Sequence, residues 1–314
     1  MPIERRLVPF LRVARRARNA DASLPVTIQR QNSARISDRG AALVMHREPE
    51  PASVTHHYVP TDGGRILVRV YRPEGSGPFP LYVFIHGGGW CAGTLDERDP
   101  RCRAISAGAR CVVASVDYRL APENQYPSGP EDCYAALTWL VDHAEELDLA
   151  PDTVAIGGES AGANLAAVVC LMARDRNGPL LCHQWLDVPA LDLTCSQSGF
   201  REVADGYLLD RAAIDDYLGH YLPDPASATD PYCSPLLAAD LTGLPPAWIM
   251  TAELDHLRGD GEAYAAALNA AGVPAQHLRL AGHIHASFAF TRLLPSSREY
   301  QGAAIAALAD AFAR

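Results

Sequence analysis

Between Thr153 and Arg174 the chain passes from a β-rich apolar run to an apolar helical run through a turn of small residues. Thr153–Ile156 reads as a buried strand, Gly157 to Gly162 as the turn, and Ala161–Arg174 as a helix ended by Asn177-Gly178-Pro179. A strand that feeds a helix this abruptly brings the two elements close together, which leaves little room for side chains at the turn. The same alternation recurs along the chain. Strand patterns fall at Arg65–Tyr71, Leu81–Ile85, Cys111–Val116, Gln184–Val188, Ala247–Thr251 and Gln276–Leu280, with helical patterns over Gly129–Ala150 and Gly261–Ala271. Strand alternating with helix predicts an α/β fold, a mostly parallel central sheet with helices on both faces. In such sheets functional residues collect at the carboxyl ends of the strands.

Two stretches break the rhythm. Residues 1–50 precede the first strand pattern, and 195–235 interrupt the late strands with a helical pattern around Arg211–Tyr221. The expected organisation is therefore a catalytic α/β domain in two parts, 51–194 and 236–314, with 1–50 and 195–235 as two cap segments above it. The segment Pro2–Ala20 carries arginines at 5, 6, 12, 15, 16 and 18 among Leu7, Phe10, Leu11 and Val13. Such a helix either packs its apolar face on the body with its arginines in water, or touches anionic lipid.

Two glycine-rich motifs follow strand patterns. Gly158-Glu159-Ser160-Ala161-Gly162 has the G-x-S-x-G form that exposes a serine hydroxyl on a sharp strand-to-helix turn. His86-Gly87-Gly88-Gly89-Trp90 has the form that supplies backbone N–H groups to an oxyanion. One offers a nucleophile and the other a place for the negative charge its attack creates.

A serine needs a base, and eleven histidines compete. His283 and His285 lie past the last strand pattern, where a loop can return to the strand ends. His46, His56 and His57 precede the predicted sheet, His143 and His220 sit in helical patterns, and His183 and His277 open strands. His86 more plausibly holds the shape of its own loop by hydrogen bonding. For the acid, Asp255 follows Ala247–Thr251 by a few residues and would fix the histidine tautomer. Glu253 is too near the strand, and Asp260 already reads as helical. His283 and His285 also have the spacing of half a metal site, but no third ligand accompanies them, so no metal is expected.

The chain resembles the bacterial hormone-sensitive lipase family of α/β-hydrolase esterases. The resemblance rests on HGGGW (86–90), SVDYRLAPENQYPSGPED (115–132), GGESAGANLAA (157–167) and AELDHLRGDGEAYAAAL (252–268), and covers roughly residues 55–314. It implies Ser160 as nucleophile, Asp255 as acid, His285 as base, and Gly88, Gly89 and Ala161 as oxyanion donors. His86 and Glu159 become structural support, as do Asp117 and Tyr118, and the two-part cap matches the two stretches already singled out. Three positions depart from the family pattern. His256 replaces the usual proline after the acid, His285-Ala286-Ser287-Phe288 stands where His-Gly-Phe is usual and keeps His283 as a rival base, and Glu159 replaces the common aspartate.

The implied activity is hydrolysis of short- to medium-chain carboxylic esters through an acyl-enzyme, falling below about pH 6–7 as a histidine base protonates. An acyltransferase, an amidase or a non-catalytic ligand-binding member of the fold are the alternatives. The resemblance further implies a homodimer through the C-terminal edge of the sheet. A net charge of −10 argues against a nucleic-acid partner. All 27 basic residues are arginine, which excludes lysine-dependent cofactor chemistry, and no cofactor is expected. The eight cysteines show no metal spacing, and several read as small core hydrophobes. No secretory pattern or long apolar run is visible, so a cytoplasmic protein without a membrane span is expected.

Overall fold

A computed structural model describes residues 3–21, 24–46 and 48–314, with the backbone alone at 17–21, 37–39, 41 and 42. Pro2 and the Arg18 side chain, part of the predicted N-terminal helix, lie outside the described residues. Eight strands form one sheet: β1 (Ser53–Thr61), β2 (Gly64–Arg72), β3 (Phe79–Ile85), β4 (Val112–Asp117), β5 (Leu149–Glu159), β6 (His183–Asp187), β7 (Ala247–Leu254) and β8 (Ala275–Ile284). Their order is β1-β2-β4-β3-β5-β6-β7-β8. β1 pairs antiparallel with β2 and β2 with β4, and every other pairing is parallel. This is the α/β-hydrolase arrangement.

Nine α-helices accompany the sheet among the described residues: α1 (Leu7–Asp21), α2 (Val26–Val44), α3 (Asp99–Ala109), α4 (Ser128–Asp142), α5 (Ala161–Asp175), α6 (Gly199–Glu202), α7 (Arg211–Tyr221), α8 (Arg258–Ala270) and α9 (Pro295–Phe312). Strand side chains alternate between two cores. Leu81, Val83 and Ile85 of β3 join the core under α4, α5 and α8, while Tyr82 and Phe84 join the opposite core under α3 and α9. At about 1.5–3 kcal/mol for each large apolar side chain taken out of water, these five residues make β3 a strand that tolerates no charge on either face. α1 turns Leu7, Phe10 and Leu11 toward the second core, with the Phe10 ring 4.8 Å from that of Phe290.

Several boundaries differ from the sequence expectation. The helix predicted over 129–150 stops at Asp142, the His143 ring meets the Trp139 carbonyl at 2.8 Å, and β5 begins at Leu149. β1, α2, α3 and α9 were not expected. His56 and His57 therefore lie within the sheet, on its edge strand, and do not precede it. β8 runs four residues beyond the predicted Leu280, which puts His283 in the strand and leaves only His285 past its end.

The two stretches outside the rhythm border a common cleft, lined by Leu11, Ala14 and Arg15 of α1 and by Gly206 and Leu208. α2 is fixed to the body by Arg30, whose guanidinium donates to the carbonyls of Cys91 (2.6 Å) and Ala121 (2.8 Å) and pairs with Glu123. No helix among the described residues is long and apolar enough to cross a membrane.

Candidate active site

β5 delivers the chain to Ser160, whose φ of +54° and ψ of −118° lie outside the ordinary regions for a residue with a side chain. Two contacts hold it there: its N–H donates to the Asp187 carbonyl at 2.8 Å, and its own carbonyl accepts from Asn164 N–H at 3.0 Å. The neighbouring glycines are steric requirements. A Cβ on Gly158 would meet the Ile85 carbonyl oxygen at 2.4 Å, and one on Gly162 would meet the same oxygen at 2.2 Å. The same Gly158 Cβ would meet the Gly162 backbone at 2.6 Å, which is the predicted closeness of strand and helix, and the Ile85 carbonyl of β3 crowds both glycines.

His285, just beyond β8, reaches Ser160 Oγ with Nε2 at 3.0 Å and Asp255 Oδ2 with Nδ1 at 2.7 Å. Facing a carboxylate, Nδ1 carries the proton, which leaves Nε2 to accept from the serine hydroxyl. Asp255 is buried, and its other oxygen accepts the Leu257 N–H at 3.0 Å. Three side chains from the ends of β5, β7 and β8 therefore converge. Glu253 and Asp260 do not join them. Glu253 accepts from Gly282 N–H at 2.7 Å, and Asp260 accepts from the N–H groups of Leu191 and Asp192 at 2.8 and 2.9 Å.

His283 sits apart from Ser160. Both of its ring nitrogens are engaged by hydroxyls, Nδ1 with Ser287 at 2.9 Å and Nε2 with Ser296 at 2.8 Å. Burial holds its pKa below the ordinary histidine range. No cluster of three or more metal-binding side chains occurs among the described residues.

The loop after β3 packs beside Ser160. A Cβ on Gly87 would meet the Glu159 carbonyl oxygen at 2.8 Å and Ser160 Cβ at 3.4 Å. Gly88 (φ +129°) and Gly89 (φ +58°) give the loop its left-handed backbone, and the Gly88 carbonyl accepts from Cys91 and Ala92 at 3.1 and 2.9 Å. Ala161 is the first residue of α5, where the N–H has no intrahelical acceptor and the helix dipole is positive. His86 donates from Nδ1 to the Gly87 carbonyl at 2.9 Å and stacks on Tyr118 with centroids 4.5 Å apart. Burial pushes its pKa down to about 4, so it is a neutral scaffold. Tyr118 OH in turn donates to the His86 carbonyl at 3.1 Å.

The residues beside Ser160 form an ionic cluster that sequence reasoning missed. Glu159 accepts from Arg98 Nε at 2.6 Å and lies 3.4 Å from Arg101 Nε, and Arg101 also pairs with Asp187. Asp187 Oδ1 additionally accepts from Trp185 Nε1 at 2.9 Å and from Tyr300 OH. Burial works to raise the Glu159 pKa, but the two guanidiniums outweigh it and hold the carboxyl below its ordinary value. Burial dominates at Asp187 and raises its pKa despite Arg101. The only sequence signal was the charge density of residues 96–103, which does not say what those charges face.

α7 lies directly on the glycine loop. Tyr221 stacks on Trp90 at 4.4 Å and 8°, and a Cβ on Gly89 would come within 2.4 Å of the Tyr217 ring. Asn164 links the same region to the body, accepting from Trp90 Nε1 at 3.3 Å and donating to the Ala190 and Cys233 carbonyls at 2.8 and 2.7 Å.

With that geometry in hand, residues 82–289 match a family model described as the alpha/beta hydrolase fold. The chain is 46% identical over 241 residues to the carboxylic ester hydrolase LipN of Mycobacterium tuberculosis, covering 75% of this chain and 64% of that protein. It is 44% identical over 247 residues to the carboxylesterase NlhH of the same organism, covering 77% of each. Among solved structures, a hyperthermophilic esterase from the archaeon Pyrobaculum calidifontis superposes with a TM-score of 0.91 at 35% identity, over 99% of both chains.

Proposed function

The chain belongs to the α/β-hydrolase family of serine ester hydrolases, and from that premise we propose that Ser160 is its nucleophile, His285 its general base and Asp255 the group that orients the base. The observation that carries this reading is the continuous pair of hydrogen bonds, 2.7 Å from Asp255 to His285 and 3.0 Å from His285 to Ser160. Ser160 Oγ attacks the ester carbonyl carbon as its proton passes to His285 Nε2. The carbonyl oxygen takes the negative charge and is held by the N–H groups of Gly88, Gly89 and Ala161. His285 then gives its proton to the departing alkoxide, leaving an acyl-serine. A water deprotonated by the same nitrogen attacks the acyl carbon, and the acid leaves as Ser160 regains its proton. Asp255 stays ionised throughout and stabilises the imidazolium.

Short- to medium-chain acyl groups are the proposed substrates, with residues 1–50 and 195–235 as the cap that bounds their pocket. Supporting this reading, Tyr217 of α7 stands immediately over Gly89 and shortens the space beside that donor. The test is a p-nitrophenyl ester series from acetyl to palmitoyl, run with Ser160→Ala and with a fluorophosphonate label. Loss of both turnover and labelling in Ser160→Ala, with activity peaking at short acyl chains, is the expected result. Turnover retained by Ser160→Ala would refute the nucleophile, and a palmitoyl optimum would refute the acyl preference.

A further inference from the structure

The charge of this chain is divided sharply along its length. Residues 1–47 hold ten arginines and three carboxylates, a surplus of seven positive charges, whereas the remaining 267 residues carry seventeen surplus negative charges. Among the described residues, most of the large exposed apolar side chains lie in that same basic segment. Val13, Leu24, Ile28, Ile36 and Leu43 are there, with Leu43 72% and Val13 66% exposed.

Helical geometry sorts these residues by face. On α1, Leu7, Phe10 and Leu11 point into the body, and Arg12, Val13 and Arg16 come out on the opposite side, with Arg5 exposed just before the helix. On α2, Arg30 grips the body, while Ile28, Arg35, Ile36 and Leu43 fall within one arc facing solvent. The outer face of α1 thus sets one apolar side chain among arginines, and that of α2 sets three apolar side chains beside one. We propose that the outer faces of α1 and α2 dock on an anionic lipid surface, with the arginines at the phosphates and Val13, Ile28, Ile36 and Leu43 entering the headgroup boundary. Single apolar side chains spaced along a basic helix suit that boundary. A stable protein interface instead needs a contiguous apolar core. The acidic remainder of the chain is repelled by the same surface, which orients the molecule with these two helices toward it.

Neither the surface nor its test depends on which residues perform hydrolysis, since Ser160→Ala is expected to dock like the parent. The experiment is co-sedimentation of the whole chain with vesicles of phosphatidylcholine, with and without phosphatidylglycerol, at low and high salt. Binding is expected only to the phosphatidylglycerol vesicles, and to weaken with salt as screening shortens the field. Arg12→Gln/Arg16→Gln/Arg35→Gln should weaken it about a hundredfold, at about fivefold for each arginine near the surface. Ile28→Ser/Leu43→Ser should weaken it with less dependence on salt. Both variants should keep the parent's circular dichroism spectrum and thermal unfolding midpoint, which shows that they fold. No binding by the parent, equal binding to neutral vesicles, or undiminished binding by the arginine variant would each overturn the proposal. So would self-association without vesicles that the same substitutions abolish, because the face would then belong to a second copy.

Discussion

Replacing Arg101 by methionine keeps the length and most of the apolar contact of the side chain but removes its charge from a place that water does not reach. The Arg101 side chain is 2% exposed, and the two carboxylates it serves, Glu159 and Asp187, are 3% and 1% exposed. Glu159 keeps Arg98, whose side chain is 20% exposed and can be hydrated. Asp187 keeps only the Trp185 and Tyr300 hydrogen bonds and loses its one cation among the described contacts. Removing one partner of a buried ion pair costs about 3–5 kcal/mol, against a total stability of about 5–15 kcal/mol. The sign of the pH dependence follows from Asp187. Its folded pKa is already raised, and losing Arg101 raises it further, so the variant binds the Asp187 proton more tightly folded than unfolded. The loss should be greatest near pH 8 and shrink toward pH 5 as Asp187 takes up a proton. Urea unfolding followed by tryptophan fluorescence at both pH values measures this, and Arg101→Met/Asp187→Asn should recover more than half of the loss. A deficit under about 1 kcal/mol at pH 8, or one that grows on acidification, would refute the reasoning.

Gly89→Ala places a methyl 2.4 Å from the Tyr217 ring on a residue with φ of +58°, so the loop or α7 must move; kcat/KM should fall at least about tenfold. Esterase kinetics with Gly89→Ala/Tyr217→Ala, expected to recover part of the loss, separates crowding from backbone strain. Arg30→Ala leaves the Cys91 and Ala121 carbonyls without their donor, and the expected cost is about 1–3 kcal/mol with earlier tryptic cleavage in α2, read by timed proteolysis and mass spectrometry. His86 and His183 both have pKa values pushed down to about 4 by burial. A depressed folded pKa means the unfolded chain takes up protons first, so stability present above pH 6.5 should fall as the pH drops from there toward 4. Unfolding midpoints across that window should show a shallower slope in His183→Gln.

Much of this was readable from local patterns, because local patterns are what turns and strands need. The elbow glycines are small for backbone contacts only a few ångströms away, and Asp255 and His285 follow strand patterns that bring them to the same sheet edge. The misses have physical causes of two kinds. β1 carries His56, His57 and Pro60 because an edge strand has an open side, so no apolar run marks it. Among the described residues, α2 packs only Val26 and Val44 at its ends on the cores while Arg30 reaches two carbonyls from its middle, and its outward face is not the polar face that a surface helix usually displays. The second kind is long-range. Arg101 and Asp187 are 86 positions apart, and nothing in either neighbourhood announces the other. His283 and His285 illustrate both: the motif left two histidines open, and the length of β8 with two serine hydroxyls separates their surroundings.

The seating of α7 on the glycine loop has an evolutionary consequence. On the proposed reading α7 is one boundary of the acyl pocket, and it is the helix that stacks Tyr221 on Trp90 and rests Tyr217 on Gly89. A change there cannot retune recognition while leaving the proposed charge-stabilising loop untouched. Natural or engineered shifts in substrate range routed through α7 should therefore appear in turnover as well as in affinity, and adaptation confined to affinity should be found on the cap residues that do not touch that loop.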